Sequence, residues 1–253
     1  MFAKRSMLQT LVLGLSLSLL AGCGKGGSNQ AAVQKTKADL SQAGSVSGVV
    51  KLDGTAPKSS TIEMSADPIC STQHKSKVDS GEVMVKGGKI QNVIVYVKSG
   101  LEALSFDPNT TKVTLDQKGC MYEPHVFCVQ TGQPIEIVNS DKTLHNIHAL
   151  VGDKTLFNLG MPQKGMKLDQ SLSDTGVVTV KCDVHSWMKG YIGVFDHPCF
   201  AVTGADGSFT IKNLPPGKYT IEAWHEKFGV QDMEIQVGPK ENKKQDFTLK
   251  SQG

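Results

Sequence analysis

The chain has 253 residues, of which 39% are hydrophobic and 20% are charged, so it is long enough for one large or two small globular domains. Its 27 Lys and Arg residues against 24 Asp and Glu residues give a formal net charge of +3. Without Lys4 and Arg5, which lie in a predicted export signal, the count is 25 against 24, a net charge of +1. This balance gives no sign of binding to nucleic acids or other polyanions, and the sequence does not indicate an oligomeric state.

Residues 1–22 have the organisation of an export signal. Two basic residues precede an apolar run over residues 8–20, which is short of the about 20 residues of a membrane-spanning helix. The sequence Leu-Ala-Gly-Cys that ends at Cys23 resembles the lipobox of bacterial lipoproteins, in which cleavage precedes the cysteine and the cysteine carries the lipid. The resemblance implies lipidation of Cys23 and a membrane anchor in the bacterial cell envelope, on its periplasmic or cell-surface side. The glycine after Cys23 resembles the pattern that favours the outer membrane where there is one, and a plain secretory peptide is the alternative.

Residues 23–44 predict a flexible tether. They are mainly Gly, Ser, Gln, Ala and Lys, with almost no large apolar residues that could form a core. The folded part is therefore expected over about residues 45–250.

Nearly every segment of this folded part has the pattern of a β-strand. The segments are short, rich in β-branched or aromatic residues, and separated by Gly, Pro, Asn or Asp. The predicted strands cover residues 45–52, 91–97, 112–115, 133–139, 177–181, 190–195, 208–211, 218–223 and 231–237. The one helical turn that the pattern allows lies around residues 155–160. The sequence predicts an all-β fold of sandwiches or barrels.

A turn and strand pattern near the C-terminus divides the folded part into two modules. Asp206-Gly207 predicts a tight hairpin, Phe209 and Leu214 are predicted core residues, and Pro-Pro-Gly217 turns the chain into the next strand. This pattern resembles the carboxypeptidase regulatory-like (transthyretin-like) sandwich. A sandwich that began at residue 199 would lack its first strands, so we expect residues 45–100 and 199–250 to form one discontinuous sandwich, with residues 101–198 inserted. Two consecutive domains are the simpler alternative.

Soft and borderline metal ligands are concentrated in the inserted module. Cys182, His185 and Met188 lie within seven residues, directly after a predicted strand, and His145 follows an earlier strand. Two imidazoles, a thiolate and a thioether are the donors of a type 1 (blue) copper site, in which the thioether is a weak axial ligand. Structural zinc sites do not use Met, and the C-x-x-C-H pattern of c-type haem is absent from the sequence.

The order and spacing of these residues resemble the cupredoxin family, over essentially the whole length of residues 101–198. A His-Asn pair after a strand and a Cys-x2-His-x2-Met loop are typical of its plastocyanin-like and amicyanin-like members. The resemblance implies a Greek-key β-sandwich or barrel that binds one copper ion through His145, Cys182, His185 and Met188. It implies that Asn146 ties the two ligand loops together and that Trp187 contributes to a docking patch for redox partners.

The resemblance implies a carrier of single electrons between redox proteins rather than an enzyme. Two alternatives from other classes stay open: a copper storage or delivery lipoprotein, and a non-redox interaction module at the cell surface. A hydrolase is disfavoured, because the sequence has no zinc triad with a catalytic Glu and no nucleophile motif.

The remaining cysteines and histidines leave several assignments open. Cys70, Cys120, Cys128 and Cys199 allow three pairings. A disulfide between Cys70 and Cys120 would join two turn-like segments of an exported chain, and the other pairings stay open beside it. Cys128 and Cys199 lie in apolar contexts that favour free core thiols. A second metal site at His74, His125 or His225 is the alternative to ordinary structural or surface histidines.

Overall fold

A computed structural model describes residues 34–251; the predicted signal 1–22, Cys23 and the first part of the tether lie outside the described residues. Strands dominate this part. The first are β1 (Thr36–Lys37), β2 (Gly44–Asp53), β3 (Thr61–Ile62), β4 (Val78–Asp79), β5 (Val85–Lys86), β6 (Lys89–Ile90), β7 (Ile94–Ser99) and β8 (Leu104–Ser105), with helix α1 (Pro68–Thr72) between β3 and β4. Within residues 34–251, no helix has both the length and the apolar character needed to cross a bilayer.

The later strands follow one another with short connections. They are β9 (Val113–Lys118), β10 (Met121–Glu123), β11 (Val126–Gln130), β12 (Ile135–Asn139), β13 (His145–Val151), β14 (Lys154–Met161), β15 (Lys167–Gln170), β16 (Gly176–Lys181), β17 (Lys189–Phe195), β18 (Phe200–Val202), β19 (Ser208–Leu214), β20 (Gly217–His225), β21 (Gly229–Val237), β22 (Asn242–Lys244) and β23 (Phe247–Lys250). The all-β fold class is confirmed.

The strands of the middle of the chain form one sandwich, which we call the middle sandwich. One sheet has the order β10-β9-β12-β15 and the other the order β11-β17-β16-β13-β14. Alternate residues of β12 and β16, such as Ile137 and Val180, are buried between the sheets, as expected for a strand with one face on the core. Among the described residues no sheet closes on itself, so the sandwich alternative is correct and the barrel alternative is wrong.

Strands that precede the middle sandwich along the chain and strands that follow it form a second sandwich, which we call the outer sandwich. One sheet has the order β18-β7-β20-β21, and the other has β19-β2-β6-β5 with β22 and β23 also paired to β2. Residues Val46 and Val95 therefore share a core with Ile221 and Phe247, far along the chain. The discontinuous arrangement is present, while the exact boundaries 45–100, 101–198 and 199–250 stay a prediction.

The two sandwiches meet along β17, because this strand has a core on each face. Ile192 and Val194 belong to the core of the middle sandwich, whereas Tyr191 and Phe195 pack towards the outer sandwich. Tyr191 makes an edge contact with Trp224, with ring centroids 5.0 Å apart. This double burial explains why every residue of β17 after Lys189 is buried.

Two details differ from the sequence prediction. Residues 34–44 are not a free tether in their described part, because β1 pairs in parallel with β8 and the N–H of Lys240 donates to the carbonyl of Gln42. The helical turn at residues 155–160 is wrong: β14 covers them as a strand that pairs antiparallel with β13. Backbone pairing along the whole of β13 outweighs the local preference of this segment.

The middle of β2 needs a glycine. β22 pairs with residues 45–47 and β23 with residues 50–53, and the chain crosses Gly48 between them at Gln245. A Cβ on Gly48 would lie 1.9 Å from the carbonyl oxygen of Gln245, a backbone atom that cannot move without breaking the pairing. The lack of a side chain at Gly48 therefore allows the C-terminal strands to pair with β2.

We expect Gly48→Ala to lower the free energy of unfolding by about 2 kcal/mol or more, since overpacking of this kind costs about 1–3 kcal/mol. Urea denaturation of the purified protein measures it. Gly160→Ala is the matched control, because Gly160 is also a strand glycine but its added Cβ would have no atom within 4 Å. Equal urea midpoints for the two variants would contradict the close approach at Gly48.

Candidate metal centre

The first ligand loop runs from the end of β12 to the start of β13. The buried Asn139 closes it: its Nδ2 donates to the carbonyls of Thr143 (2.9 Å) and Met161 (2.7 Å), and its Oδ1 accepts from the N–H of Asp141 (2.9 Å). The loop delivers the fully buried side chain of His145 into the middle sandwich. An amide that satisfies three backbone groups makes this loop rigid.

The second ligand loop connects β16 to β17 and folds back on itself. The N–H of Cys182 donates to the carbonyl of Met188 (3.1 Å), and the N–H of Met188 donates to the carbonyl of His185 (2.9 Å). The N–H of His185 points to the sulfur of Cys182 at 3.4 Å. Cys182, His185 and Met188 are all buried.

Asn146 joins the two loops. Its Oδ1 accepts from the N–H of Asp183 (2.6 Å), and its Nδ2 donates to the Oδ1 of Asn158 (2.7 Å). Its backbone N–H donates to the sulfur of Cys182. The hydroxyl of Tyr122 donates to its carbonyl (2.6 Å), so both sides of this residue are fixed.

Three of the four predicted ligands converge on one point. His145 Nδ1 lies 3.0 Å from His185 Nδ1, and the sulfur of Cys182 lies 3.8 Å from His185 Nδ1. All three donor atoms lie within 4.8 Å of one another. A transition-metal ion that binds nitrogen at about 2.0 Å and sulfur at about 2.3 Å suits this spacing.

Each imidazole has a carboxylate behind it. Nε2 of His145 lies 3.0 Å from Oδ2 of Asp141, and Nε2 of His185 lies 3.0 Å from Oδ2 of Asp67. Burial alone would raise the pKa of Asp67, but hydrogen bonds from His185, Thr143 and two backbone N–H groups lower it to about 2. Hydrogen bonds from His145 and from the N–H groups of Cys120 and Gly119 likewise outweigh burial and lower the pKa of Asp141.

The carboxylates decide which way the imidazole lone pairs point. An ionised carboxylate can only accept, so Nε2 of both His145 and His185 carries the hydrogen. In the neutral rings Nδ1 is then an acceptor, and two acceptors face each other beside the sulfur of Cys182. This arrangement is repulsive unless a cation lies among the three atoms, and it is therefore built for a metal ion or a proton.

The pKa values of His145 and Cys182 also favour a cation among these three atoms. Burial would lower the pKa of His145, but Asp141 and the sulfur of Cys182 raise it to about 9. Burial would raise the pKa of Cys182, but hydrogen bonds from His145 and from the backbone N–H groups of Asn146, His185 and Val184 lower it to about 7. A thiolate at neutral pH is the form that binds a soft metal ion.

Met188 supplies the fourth predicted donor. Its side chain is 1% exposed and belongs to the same apolar cluster as Cys182. Two imidazoles and a thiolate that converge away from water, with a buried thioether in the same loop, suit copper better than zinc. The residues present therefore fit copper.

The two carboxylates behind the imidazoles were not predicted from the sequence. Asp67 lies 118 residues before His185 and reaches it only because α1, outside the predicted inserted module, packs on the middle sandwich. Nothing in the local sequence could have shown this. Asp141 lies four residues before His145, and a carboxylate so close to a ligand histidine was a signal that could have been used.

Trp187 lies against the site rather than free in solvent. It is half-buried, its ring centroid is 5.0 Å from that of His185, and its Nε1–H donates to the carbonyl of Cys120 (3.0 Å). Cys120 forms a disulfide with Cys70, and the sulfur of Cys70 is 3.6 Å from Nε2 of His185. The disulfide thus borders the site.

The other candidates do not form a second centre within residues 34–251. Cys128 and Cys199 are free thiols. Nε2 of His74 contacts the carbonyl of Gly119, and Nδ1 of His225 accepts from the N–H of Lys227. His125 contacts Glu226 across the interface between the two sandwiches. None of the three histidines belongs to a described group of three potential ligands.

Comparison with known proteins identifies the C-terminal segment. Residues 199–250 match the family model of the carboxypeptidase regulatory-like domain. The predicted resemblance is confirmed for this segment. No curated protein sequence matches the chain.

Several solved structures are similar to part of the chain. They are a purple cupredoxin from Nitrosopumilus maritimus (22% identity, 32% of this chain and 98% of that chain, TM-score 0.30), a variant of amicyanin in its reduced Cu(I) form (21%, 35% and 86%, 0.30) and a copper-containing nitrite reductase from Thermus scotoductus SA-01 (23%, 40% and 25%, 0.29). The match thus spans a quarter of the nitrite reductase chain. The convergence of His145, Cys182 and His185 is what indicates a metal site in this chain.

We expect the thiol of Cys182 to ionise near pH 7 in the metal-free protein, because the hydrogen bonds to its sulfur favour the thiolate. Burial raises the pKa of Cys199 to about 12 and raises that of Cys128 further, so neither contributes near neutral pH. The ultraviolet absorbance of the thiolate, titrated with pH as a difference against Cys182→Ser, measures it. His145→Ala should move the midpoint upwards; a midpoint unchanged by that substitution would refute the assigned cause.

Proposed function

We propose that this chain is a lipid-anchored, extracytoplasmic electron-transfer protein with one type 1 copper ion. The observation that supports it is the convergence of the two Nδ1 acceptors and the Cys182 sulfur on one buried point, with their tautomers fixed by Asp141 and Asp67. His145, Cys182 and His185 would hold the copper, with Met188 as a fourth, weaker donor. The bound ion supplies a one-electron Cu(II)/Cu(I) couple.

The protein residues supply rigidity and dryness. The side chains of Asn139 and Asn146 hold the two ligand loops through hydrogen bonds to backbone groups. A site fixed in this way changes little between the two copper oxidation states, so electron exchange has a small reorganisation barrier. These features favour a carrier over an enzyme, which would also need an open position for a substrate.

Copper storage or delivery is the second candidate, because the same soft donors bind Cu(I). The full burial of His145 and the 3% exposure of Cys182 and His185 favour retention of the ion over its ready release. The lipid anchor at Cys23, the cell-envelope location and the redox partners are parts of the proposal that come from the sequence pattern alone. A non-redox interaction module would use only the outer sandwich.

Copper loading of the protein from residue 24 onwards tests this function. We expect an intense blue or purple thiolate-to-copper absorption that Cys182→Ser abolishes, since the band needs the sulfur. Met188→Leu should keep the band and raise the reduction potential, because only the weak axial donor is lost. A wild-type protein that stays colourless with Cu(II) would overturn the proposal, and transfer of the copper to a mild chelator within seconds would favour delivery.

An apolar surface next to the site is suited to contact with redox proteins. Leu144 and Val184 each precede a ligand histidine and are 44% and 50% exposed. Trp187 contributes its half-buried edge to the same end of the sandwich. We include this surface in the proposal as the place where electrons enter and leave.

We expect Val184→Asp to slow electron self-exchange between the Cu(I) and Cu(II) proteins roughly tenfold or more, because two like charges then face each other in the encounter. NMR line broadening in mixtures of the two states measures this rate, and self-exchange has no driving force, so a changed potential does not affect it. Val230→Asp is the matched control, since Val230 is 58% exposed in β21 of the outer sandwich. Equal rates for both variants would argue against this docking surface.

A further inference from the structure

A short segment from outside the predicted inserted module covers the outer edge of His185. We call residues 67–73 the strap: Asp67, helix α1 and its C-terminal cap Gln73. The strap is tied to the middle sandwich by the Cys70–Cys120 disulfide, whose two residues are fully buried. The hydroxyl of Thr143, in the first ligand loop, donates to Oδ2 of Asp67 (2.9 Å).

Asp67 uses its two oxygens for different purposes. Oδ1 caps the helix by accepting from the N–H groups of Ile69 (2.7 Å) and Cys70 (3.3 Å). Oδ2 accepts from His185 and Thr143 and takes no part in the cap. A residue that served only as a helix cap would need only the first oxygen.

We propose that Asp67 is a positioning residue of the copper site, held over His185 by the disulfide-tethered strap, and that it favours Cu(II) over Cu(I). This inference rests on the proposed function for its effect on copper, but its effect on the imidazole does not need the metal. The carboxylate keeps the hydrogen of His185 on Nε2 and leaves Nδ1 as the donor.

The direction of the effect follows from charge. An anion behind a ligand imidazole increases the electron density on the ring and strengthens its bond to a cation. The doubly charged Cu(II) gains more from this than the singly charged Cu(I). Asp141 acts in the same way behind His145, so the site has a carboxylate behind each imidazole.

The Cys70–Cys120 disulfide connects the two segments that position Asp67 and Asp141. Cys120 donates its N–H to Asp141 (2.7 Å), and Cys70 donates its N–H to Asp67. One covalent bond therefore connects the backbone segments that hold both carboxylates. The disulfide thus links the two segments whose carboxylates orient the imidazoles.

The test compares Asp67→Asn with Asp206→Asn. Asp206 also accepts from the N–H two residues ahead, that of Ser208 (3.0 Å), but it lies in a turn of the outer sandwich. For Asp67→Asn we expect a loss of Cu(II) affinity of roughly 10- to 100-fold with a smaller change for Cu(I). The reduction potential should rise by about 59 mV for each tenfold loss of preference for Cu(II). Asp206→Asn should leave the affinities and the potential as in the wild type.

A measurement without copper separates the two claims. The ¹⁵N shifts of the neutral His185 ring should show hydrogen on Nε2 in the wild type and a changed tautomer population in Asp67→Asn. Unchanged shifts, or an unchanged potential in a copper-loaded Asp67→Asn protein, would overturn the role of Asp67. A wild type that does not bind copper but has the expected tautomer would overturn the proposed function and keep the positioning role.

The tether is tested by the double variant Cys70→Ala with Cys120→Ala. We expect its potential to rise in the same direction as that of Asp67→Asn, because α1 then no longer keeps Asp67 over His185. A copper-loaded double variant with the wild-type potential would show that the disulfide has no part in the positioning. If this variant does not fold, the double variant Cys70→Ser with Cys120→Ser is measured in its place against the same criterion.

Discussion

The site depends on one unfavourable arrangement: two imidazole acceptors and a thiolate are held facing one another away from water. Without a metal ion or a proton between them, like lone pairs at 3.0 Å would repel each other, and the raised pKa of His145 supplies that proton when no metal is bound. Asp141 and Asp67 prevent the rings from turning, since each ionised carboxylate accepts the hydrogen on Nε2. The folding free energy of the protein keeps the three atoms in place despite their repulsion. A bound cation relieves that repulsion, which adds to the affinity of the site for the cation.

The two sandwiches contribute to this arrangement in different ways. The middle sandwich supplies the four predicted ligands on two short loops, where strand pairing and the hydrogen bonds of Asn139 and Asn146 define their positions. The strap, which precedes the middle sandwich in sequence, supplies Asp67 and closes the outer edge of His185. Leu144, Val184 and, in the strap itself, Ile69 are exposed apolar residues near the site, and the histidine itself is covered.

The sequence was informative where the interactions are local. The ligand loop 182–188 could be predicted because its donors are separated by two residues each, and the strands because alternation reports burial directly. The strap could not be predicted, since only tertiary packing brings Asp67 next to a residue 118 positions away. The prediction of a helical turn at residues 155–160 was wrong for a related reason: pairing with β13 decides the conformation of this segment.

The surroundings of each described cysteine determine whether it is a disulfide, a protonated thiol or a thiolate, and this limits competition for a metal ion at the site. Cys70 lies 3.6 Å from Nε2 of His185, so as a free thiol it would compete with Cys182 for a soft metal ion. Its disulfide with Cys120 removes two such donors at once. Burial keeps Cys128 and Cys199 protonated, because it raises the pKa of both thiols. Among the sulfurs of residues 34–251, Cys182 is then the one thiolate near neutral pH, and a soft ion meets it already placed among its imidazoles.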